Sequence, residues 1–496
     1  MQTKKAIIIG SGVAGLATAV RLAIQGFEVV VYEMNSYPGG KLSAFEKDGF
    51  RFDAGPSLFT QPQNLEELFA LANEPVENYF SYQPVSIACK YFYENGKLIH
   101  AHTDAALFAQ ELKEQLNEHP EAVTNYLKES EKLYENVGTV FLNNSLHKRK
   151  TWLHKRIGQS LGTLKFGHLF QSLHQYNSKH FTSPEAVQLF NRFATYNGSN
   201  PYKAPGMLSL IPHLEQNLGT YYPLGGMISI TNALYKLALA KGVQFYFNTP
   251  VQRIIHHENA VRGVVVRGEN IFADVVVSNV DVFFTYKNLL NNLHKAEKVL
   301  KQERSSSAVI FYWGMNKTFP QLLLHNIFFS SNYQKEFDSI FNKKEIAADP
   351  TVYINITSKM ESTQAPAGKE NWFVMVNAPA NSGQDWQALI RQLRTTVIEK
   401  IGRVLGEDIR AQIITEQTLD PVLIEEQTAS YMGSLYGTSS NSKWAAFLRH
   451  PNFTGTIKGL YFCGGSVHPG GGIPLCLKSA KIVSELIDTD SKMRKH

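Results

Sequence analysis

The chain has 496 residues, of which 43% are hydrophobic, and a formal net charge of +6. That is ample apolar material for two domains or one large composite. No apolar run reaches the roughly eighteen residues that cross a bilayer, which excludes a spanning helix. The three cysteines, Cys89, Cys463 and Cys476, fall in no metal or redox-pair spacing and read as free thiols in a reducing compartment.

The first element is a short apolar run, Ala6-Ile7-Ile8-Ile9, that ends in Gly10-Ser11-Gly12-Val13-Ala14-Gly15. A helix-compatible segment follows to Gln25, Gly26 breaks it, and a second apolar run, Val29-Val30-Val31, leads to Glu33. This order of strand, glycine turn, helix, strand and acid is that of a dinucleotide-binding unit. Gly10 allows the tight turn, Gly12 lets backbone approach a pyrophosphate, and Gly15 lets the helix pack on the strand. The helix N-terminus offers free N–H groups and a positive dipole to phosphates. Glu33, 23 residues after Gly10, is placed to accept hydrogen bonds from ribose hydroxyls. Lys4 and Lys5 before an uncharged stretch also resemble a secretory signal peptide. Three glycines in the apolar part and unbroken continuation into the second strand argue against that.

Ser36-Tyr37-Pro38-Gly39-Gly40-Lys41 comes directly after the acid, then Phe52-Asp53-Ala54-Gly55-Pro56-Ser57. Near the other end stands Leu460-Tyr461-Phe462-Cys463-Gly464-Gly465-Ser466-Val467-His468-Pro469-Gly470-Gly471-Gly472-Ile473-Pro474. Together these stretches resemble the FAD-dependent amine oxidase and carotenoid desaturase superfamily, and most closely the bacterial phytoene desaturases and their relatives. The resemblance implies an α/β fold: a Rossmann-like FAD-binding domain of the amine oxidase/GDI-like superfamily with an interleaved α+β substrate domain. It implies non-covalent FAD held by Gly10, Ser11, Gly12, Val13, Ala14, Gly15, Glu33, Gly39, Gly40, Lys41, Gly55, Pro56, Val251, Gly464, Gly465, Gly472 and Ile473. At Lys41 most relatives carry Arg. Tyr461–Cys463 reads as a buried strand and Leu475–Ile487 as a helix with Pro474 near its first turn. A helix N-terminus at the glycine loop would stabilise negative charge on reduced flavin. His468 is a weak candidate for chemistry, since loop histidines more often bond to backbone. No other acid or base is assignable.

Between the ends, Gly242–Asn248, Val261–Val266 and Ala273–Ser278 read as strands, with Val251 passing the adenine and His256 and His257 in a solvated turn. We divide the chain into an FAD-binding domain, residues 1–85 with 225–300 and 451–496, and a substrate and membrane-associating domain, residues 86–224 with 301–450. The second is aromatic, including Tyr91-Phe92-Tyr93, Phe311-Tyr312-Trp313 and Phe328-Phe329. Most of these are ordinary core residues, but as a set they suit a tunnel for a polyene. Residues 136–184 contain no Asp or Glu, yet carry Lys148, Arg149, Lys150, Lys155, Arg156, Lys165 and Lys179 with Trp152, Phe166 and Phe170 interleaved. A basic amphipathic stretch of this kind suits an anionic membrane surface, with a solvated basic face as the plain alternative. No nucleic-acid module accompanies the charge.

The resemblance therefore implies a flavoenzyme that introduces a carbon–carbon double bond into an acyclic carotenoid, with oxygen or a quinone taking the electrons. The expected location is cytoplasmic, on the inner face of the cell membrane. Asp53-Ala54-Gly55-Pro56 with Leu58-Phe59-Thr60 resembles the hydroxycarotenoid 3,4-desaturases, whereas phytoene desaturases more often carry Met in place of Ala54. A phytoene-type desaturase, or a relative that oxidises terminal methyl groups or isomerises polyenes, is the alternative within the family. A soluble amine oxidase fits the His-Pro-Gly-x-Gly-Ile-Pro loop poorly. A prenyl-lipid chaperone of the Rab GDP-dissociation inhibitor type would lack flavin, and its glycine turn lacks the glycine retained here as Gly15.

Overall fold

The structure, a computed structural model, describes residues 3–153, 157–442 and 449–493. Lys155 and Arg156 of the basic stretch lie outside the described residues.

A five-stranded parallel sheet organises the two ends of the chain. Its order is Leu460–Phe462, Val275–Ser278, β1 (Lys5–Ile9), β2 (Glu28–Tyr32) and Gln244–Tyr246. Parallel strands covered on both faces need apolar residues on both, which is why these segments read as unbroken aliphatic runs. Ala6 and Ile8 face one layer and Ile7 and Ile9 the other, as strand alternation requires. The first layer is helical: α1 (Val13–Ile24), Ile228–Ala240 and Ile473–Met493, meeting through Leu16, Val20, Leu234, Leu477 and Val483. The second is a three-stranded antiparallel sheet, Val251–His257, Ala260–Val266 and Glu269–Phe272, which supplies Ile254, Val264 and Val266.

Two expectations shift here. His256 and His257 do not form a turn: they end the strand Val251–His257, paired with Val261 and Ala260, and Glu258-Asn259 makes the turn. Both imidazoles are exposed. The C-terminal helix begins at Ile473, two residues before the expected start, so Pro474 lies in its first turn, where a missing N–H costs nothing.

The second sheet has seven strands in the order Ile413–Leu419, Ser307–Met315, Glu370–Ala378, Val352–Asn355, His325–Phe328, Ile87–Phe92 and Leu98–His102. All pairs are antiparallel except His325–Phe328 with Ile87–Phe92. Phe311, Trp313, Val374 and Val376 on one face pack on the helix Trp386–Leu405 through Leu393, Val397 and Ile401. Ile310, Tyr312 and Phe373 on the other face meet Phe50 and Phe52, whose hairpin (Ala44–Lys47 with Phe50–Asp53) leads into the Asp53–Ser57 loop. The sheet thereby carries an aromatic wall up to a loop that sequence reading assigns to the cofactor.

Candidate functional site

The strands of a parallel sheet end on one edge, and ligands of such sheets bind outside their carboxyl ends. Here that edge carries the glycine turn after β1, Glu33 after β2, Asn279 after Val275–Ser278 and Gly464-Gly465 after Leu460–Phe462.

The glycine turn is closed against its neighbours. Gly10 takes φ +91° and donates its N–H to the Tyr32 carbonyl at 2.8 Å. A Cβ on Gly15 would stand 2.2 Å from the Gly10 carbonyl oxygen, and one on Gly12 would stand 2.7 Å from Asn279 Oδ1. The Gly39-Gly40 turn lies directly on the first: Gly39 donates to the Ser11 carbonyl at 2.9 Å, and a Cβ on Gly40 would be 3.5 Å from the Gly12 Cα. No side chain caps the start of α1, and its first turn contains no acid. Val13 and Ala14 are buried, so what they present toward a ligand is backbone N–H.

Glu33 has work within the protein. Its Oε2 accepts from both the N–H and the hydroxyl of Ser11 at 2.7 Å, and its Oε1 accepts from the Asn35 N–H at 2.9 Å. A carboxylate offers about four acceptor positions. Three are taken, and one on Oε1 remains for a ribose hydroxyl. Glu33 thus fastens the glycine turn and keeps one acceptor position free. Val251, half-buried, opens the strand that follows the Thr249-Pro250 turn, and Thr249 donates to the Glu33 carbonyl at 2.8 Å.

Asn279 was not singled out from sequence. Its side chain lies against the positions where Gly10, Gly12, Gly15 and Gly464 lack a Cβ, and its Nδ2 donates to the Cys463 carbonyl at 3.2 Å. Its place just after a predicted strand of a parallel sheet is the signal that could have found it. Gly464 donates its N–H to Ser479 Oγ at 3.1 Å. Gly465 packs on Gly471, while Gly472, at φ +106°, has open space around it and introduces the helix that starts at the buried Ile473.

The Asp53–Ser57 loop joins this edge to the second sheet. Gly55 lies on Lys41: a Cβ there would be 1.7 Å from the Lys41 carbonyl oxygen. Pro56 is exposed beside it. Asp53 is buried and accepts from the N–H of Met227 (2.9 Å) and Ile228 (3.3 Å), and it pairs with Arg51 at 3.0 Å. Burial raises its pKa, opposed by Arg51 and the two N–H donors.

Cations outnumber acids here. Lys41 Nζ donates to the Leu435 carbonyl at 2.9 Å, and burial, partly offset by Asp281, lowers its pKa to about 8. Arg304 pairs with Asp281 at 2.6 Å, both buried, and its Nη1 has no partner among the described residues. Arg449 is buried without a carboxylate partner among the described residues. Its Nη1 donates to the Tyr436 carbonyl at 2.8 Å, and burial, with the charge of Arg304, brings its pKa down to about 10. A Cβ on Gly470 would be 3.0 Å from its Nε. Lys41 and Arg449 have no carboxylate within ion-pair distance among the described residues, and each bonds to a backbone carbonyl instead. A close glycine cradle, a bare helix N-terminus and unmatched buried cations fit an anionic dinucleotide such as FAD.

His468 is buried, and its Nε2 donates to the Asn144 carbonyl at 3.0 Å. Burial pushes its pKa down to about 4, so it stays neutral through the physiological range. The imidazole ties the C-terminal loop to the start of the basic stretch, and nothing here equips it as a base.

Comparison with known proteins decides the class. The pattern of the family described as flavin containing amine oxidoreductase matches residues 13–488. The chain belongs to that family. Among curated relatives, a 1-hydroxycarotenoid 3,4-desaturase of Flavobacterium sp. (strain P99-3) is 51% identical over 484 residues, covering 98% of this chain and 99% of that one. A 4,4'-diapolycopene oxygenase of Methylomonas sp is 32% identical over 496 residues, covering 98% of each. An oxidoreductase of known structure from Methanosarcina mazei superposes with a TM-score of 0.62 over 98% of this chain and 100% of that one. At 16% identity it shows the fold alone. The chain is an FAD-dependent oxidoreductase.

Lys41 gives the site a pH dependence. A diphosphate bound beside it would raise its pKa, so the attraction would be fully present below about pH 8 and lost as the pH rises past the bound-state value. Flavin titration of the apoprotein should show affinity falling by about tenfold above pH 8. In Lys41→Met, affinity should be weaker at pH 7 and the dependence flatter. An identical pH slope in the variant would remove Lys41 from this role.

Proposed function

We propose that this protein is a carotenoid desaturase acting on an acyclic carotenoid, and that its reaction is the 3,4-desaturation of a 1-hydroxycarotenoid. The observation that carries the reading is 51% identity to such an enzyme across nearly the whole of both chains. FAD held here would supply a two-electron acceptor for a hydride equivalent from an allylic carbon, and loss of a vicinal proton would leave the two carbons doubly bonded. The two electrons pass on to oxygen or a quinone.

The protein's share is to bind, orient and exclude water. We assign the phosphates to the bare start of α1 with Lys41, Arg304 and Arg449, and a ribose hydroxyl to the remaining acceptor on Glu33. The N-terminus of Ile473–Met493, at Gly472, supplies a positive dipole end to negative charge on the flavin. We assign residues 1–85, 225–300 and 451–496 to the cofactor and residues 86–224 and 301–450 to the substrate. The aromatic side chains on the second sheet would form a water-poor wall along the polyene.

A substrate this apolar resides in a bilayer, which leads us to place the 136–184 region on a membrane surface, at the inner face of the cell membrane. Four large apolar side chains there are exposed: Trp152 by 46%, Leu153 by 84%, Phe166 by 71% and Phe170 by 56%. Phe166 and Phe170 stack at 4.8 Å, and Arg149, Lys150 and Lys179 are exposed beside this set in sequence. Apolar rings among exposed cations match the two chemistries of an anionic interface. Among the described residues no helix is long and apolar enough to cross a membrane.

Expression in bacteria that make 1-hydroxylated acyclic carotenoids should yield pigments lacking two further hydrogens, with absorption moved to longer wavelength. Oxygen added at a terminal methyl group, or new double bonds only in phytoene, would transfer the protein to the alternative branches of its family. For the membrane assignment, each basic residue near an anionic surface contributes about 1 kcal/mol. Arg149→Gln with Lys150→Gln should therefore weaken binding to anionic liposomes by about 30-fold at low salt, read by sedimentation, and Phe166→Ser with Phe170→Ser should weaken it at any salt. Unaltered sedimentation in both double variants would make the region a solvated face.

A further inference from the structure

Two residues beyond Gly55, on the loop that rests on Lys41, Ser57 begins a chain of hydrogen bonds that leads away from the cofactor edge. Ser57 Oγ lies 2.8 Å from Tyr353 Oη, and Tyr353 Oη lies 2.8 Å from His325 Nδ1. Asn355 Nδ2 stands 3.1 Å from the same Nδ1. Tyr353 and Ser57 are half-buried, whereas His325 and Asn355 are buried. The surroundings are aromatic: Phe373 lies 6.2 Å from the Tyr353 ring and 5.7 Å from Tyr312, which in turn meets Phe45 and Phe52. A run of hydroxyls in such a wall needs a reason.

Its direction can be read. Asn355 Nδ2 also donates to the Leu324 carbonyl at 3.2 Å, which fixes that end of the amide as its donor. His325 Nδ1 must then accept. Burial, with Arg192 nearby, holds this imidazole neutral, its pKa lowered to about 3. Tyr353 therefore donates its proton to His325, and its oxygen accepts the proton of Ser57. What remains at the end of the chain is the oxygen of Ser57, committed as an acceptor.

We propose that Ser57, oriented by Tyr353 and His325, accepts a hydrogen bond from the tertiary hydroxyl on carbon 1 of the substrate and so selects hydroxylated carotenoids. The inference rests on the 1-hydroxycarotenoid reading above. In such a substrate only one methylene separates the hydroxyl-bearing carbon from the carbons that become doubly bonded. Its hydrogen-bond partner must therefore lie beside the reacting flavin, and the Gly55–Ser57 loop packs on the Lys41 turn that closes over Gly12. A site built to bond a hydroxyl discriminates strongly against the analogue lacking it, because its own polar group is then left unpaired in an apolar wall.

The test compares, in liposomes, an acyclic carotenoid carrying a hydroxyl at carbon 1 with the same carotenoid lacking it. The readout is the ratio of their kcat/KM values, with flavin content measured by absorbance. The wild type should prefer the hydroxylated carotenoid. Ser57→Ala should lower the ratio by about 10- to 100-fold, and Ser57→Thr, which keeps the oxygen, should largely restore it. Tyr353→Phe should also lower the ratio, because Ser57 loses the acceptor that orients it. That variant, on the second sheet, carries the test if Ser57→Ala loses flavin. A ratio unchanged in flavin-loaded Ser57→Ala or Tyr353→Phe would overturn the inference while leaving the proposed reaction intact. A wild type with no preference for the hydroxylated carotenoid would overturn the substrate reading, and this inference with it.

Discussion

The cofactor edge depends on one crowded contact, the side chain of Asn279 set among four positions that carry no Cβ. Gly10, Gly12, Gly15 and Gly464 come from the two ends of the chain and meet around this amide. Any side chain at Gly12 or Gly464 would stand within 2.7 Å of an Asn279 atom, closer than non-bonded atoms approach. The strand Val275–Ser278 sits between β1 and Leu460–Phe462, so the residue that follows it falls between the two glycine turns. Parallel pairing thus brings distant segments together, and the missing side chains let them close. Glu33 adds a second fastening from the β2 side through Ser11.

That closeness has an electrostatic counterpart. Packing backbone against backbone leaves little room for side chains to neutralise one another: Arg304 is buried with Asp281 as its ion-pair partner, and the buried Arg449 has no carboxylate partner among the described residues. Buried charge without a partner is costly unless something else supplies it. A dinucleotide diphosphate would answer that need, and the bare start of α1 offers N–H donors of the same sign. The Asp53–Ser57 loop carries this charged edge into the aromatic face of the second sheet. The two parts of the structure meet at Gly55, where a missing Cβ allows contact with Lys41.

What could be read from sequence divides along a physical line. β1, α1 and β2 were legible because strand, turn and helix are local, and their glycines and aliphatic runs have local causes. The Gly464–Ile473 loop was legible through its resemblance to a known pattern. Asn279, Arg304 and Arg449 were not, because each is a single polar residue whose role comes from segments far away in sequence. The same holds for Ser57, whose partner Tyr353 lies 296 residues on. Glu33 reads from sequence as a ribose acceptor, but its bonds to Ser11 depend on how tightly the turn closes, which composition does not reveal. His256 and His257 read as a turn because paired polar residues break an apolar pattern, yet they end an edge strand that faces solvent. His468 stands out as a titratable group in a glycine loop, and burial, opposed by its hydrogen bond to the Asn144 carbonyl, lowers its pKa to about 4.

A crystal structure of the flavin-loaded protein measures the central claim most directly. The account predicts the diphosphate within hydrogen-bonding distance of the backbone N–H groups of residues 12–14, a ribose hydroxyl on Glu33 Oε1, and the flavin ring between the Lys41–Gly55 contact and Gly472. A diphosphate bound away from the start of α1, with the glycine turns around Asn279 touching no part of the cofactor, would contradict it.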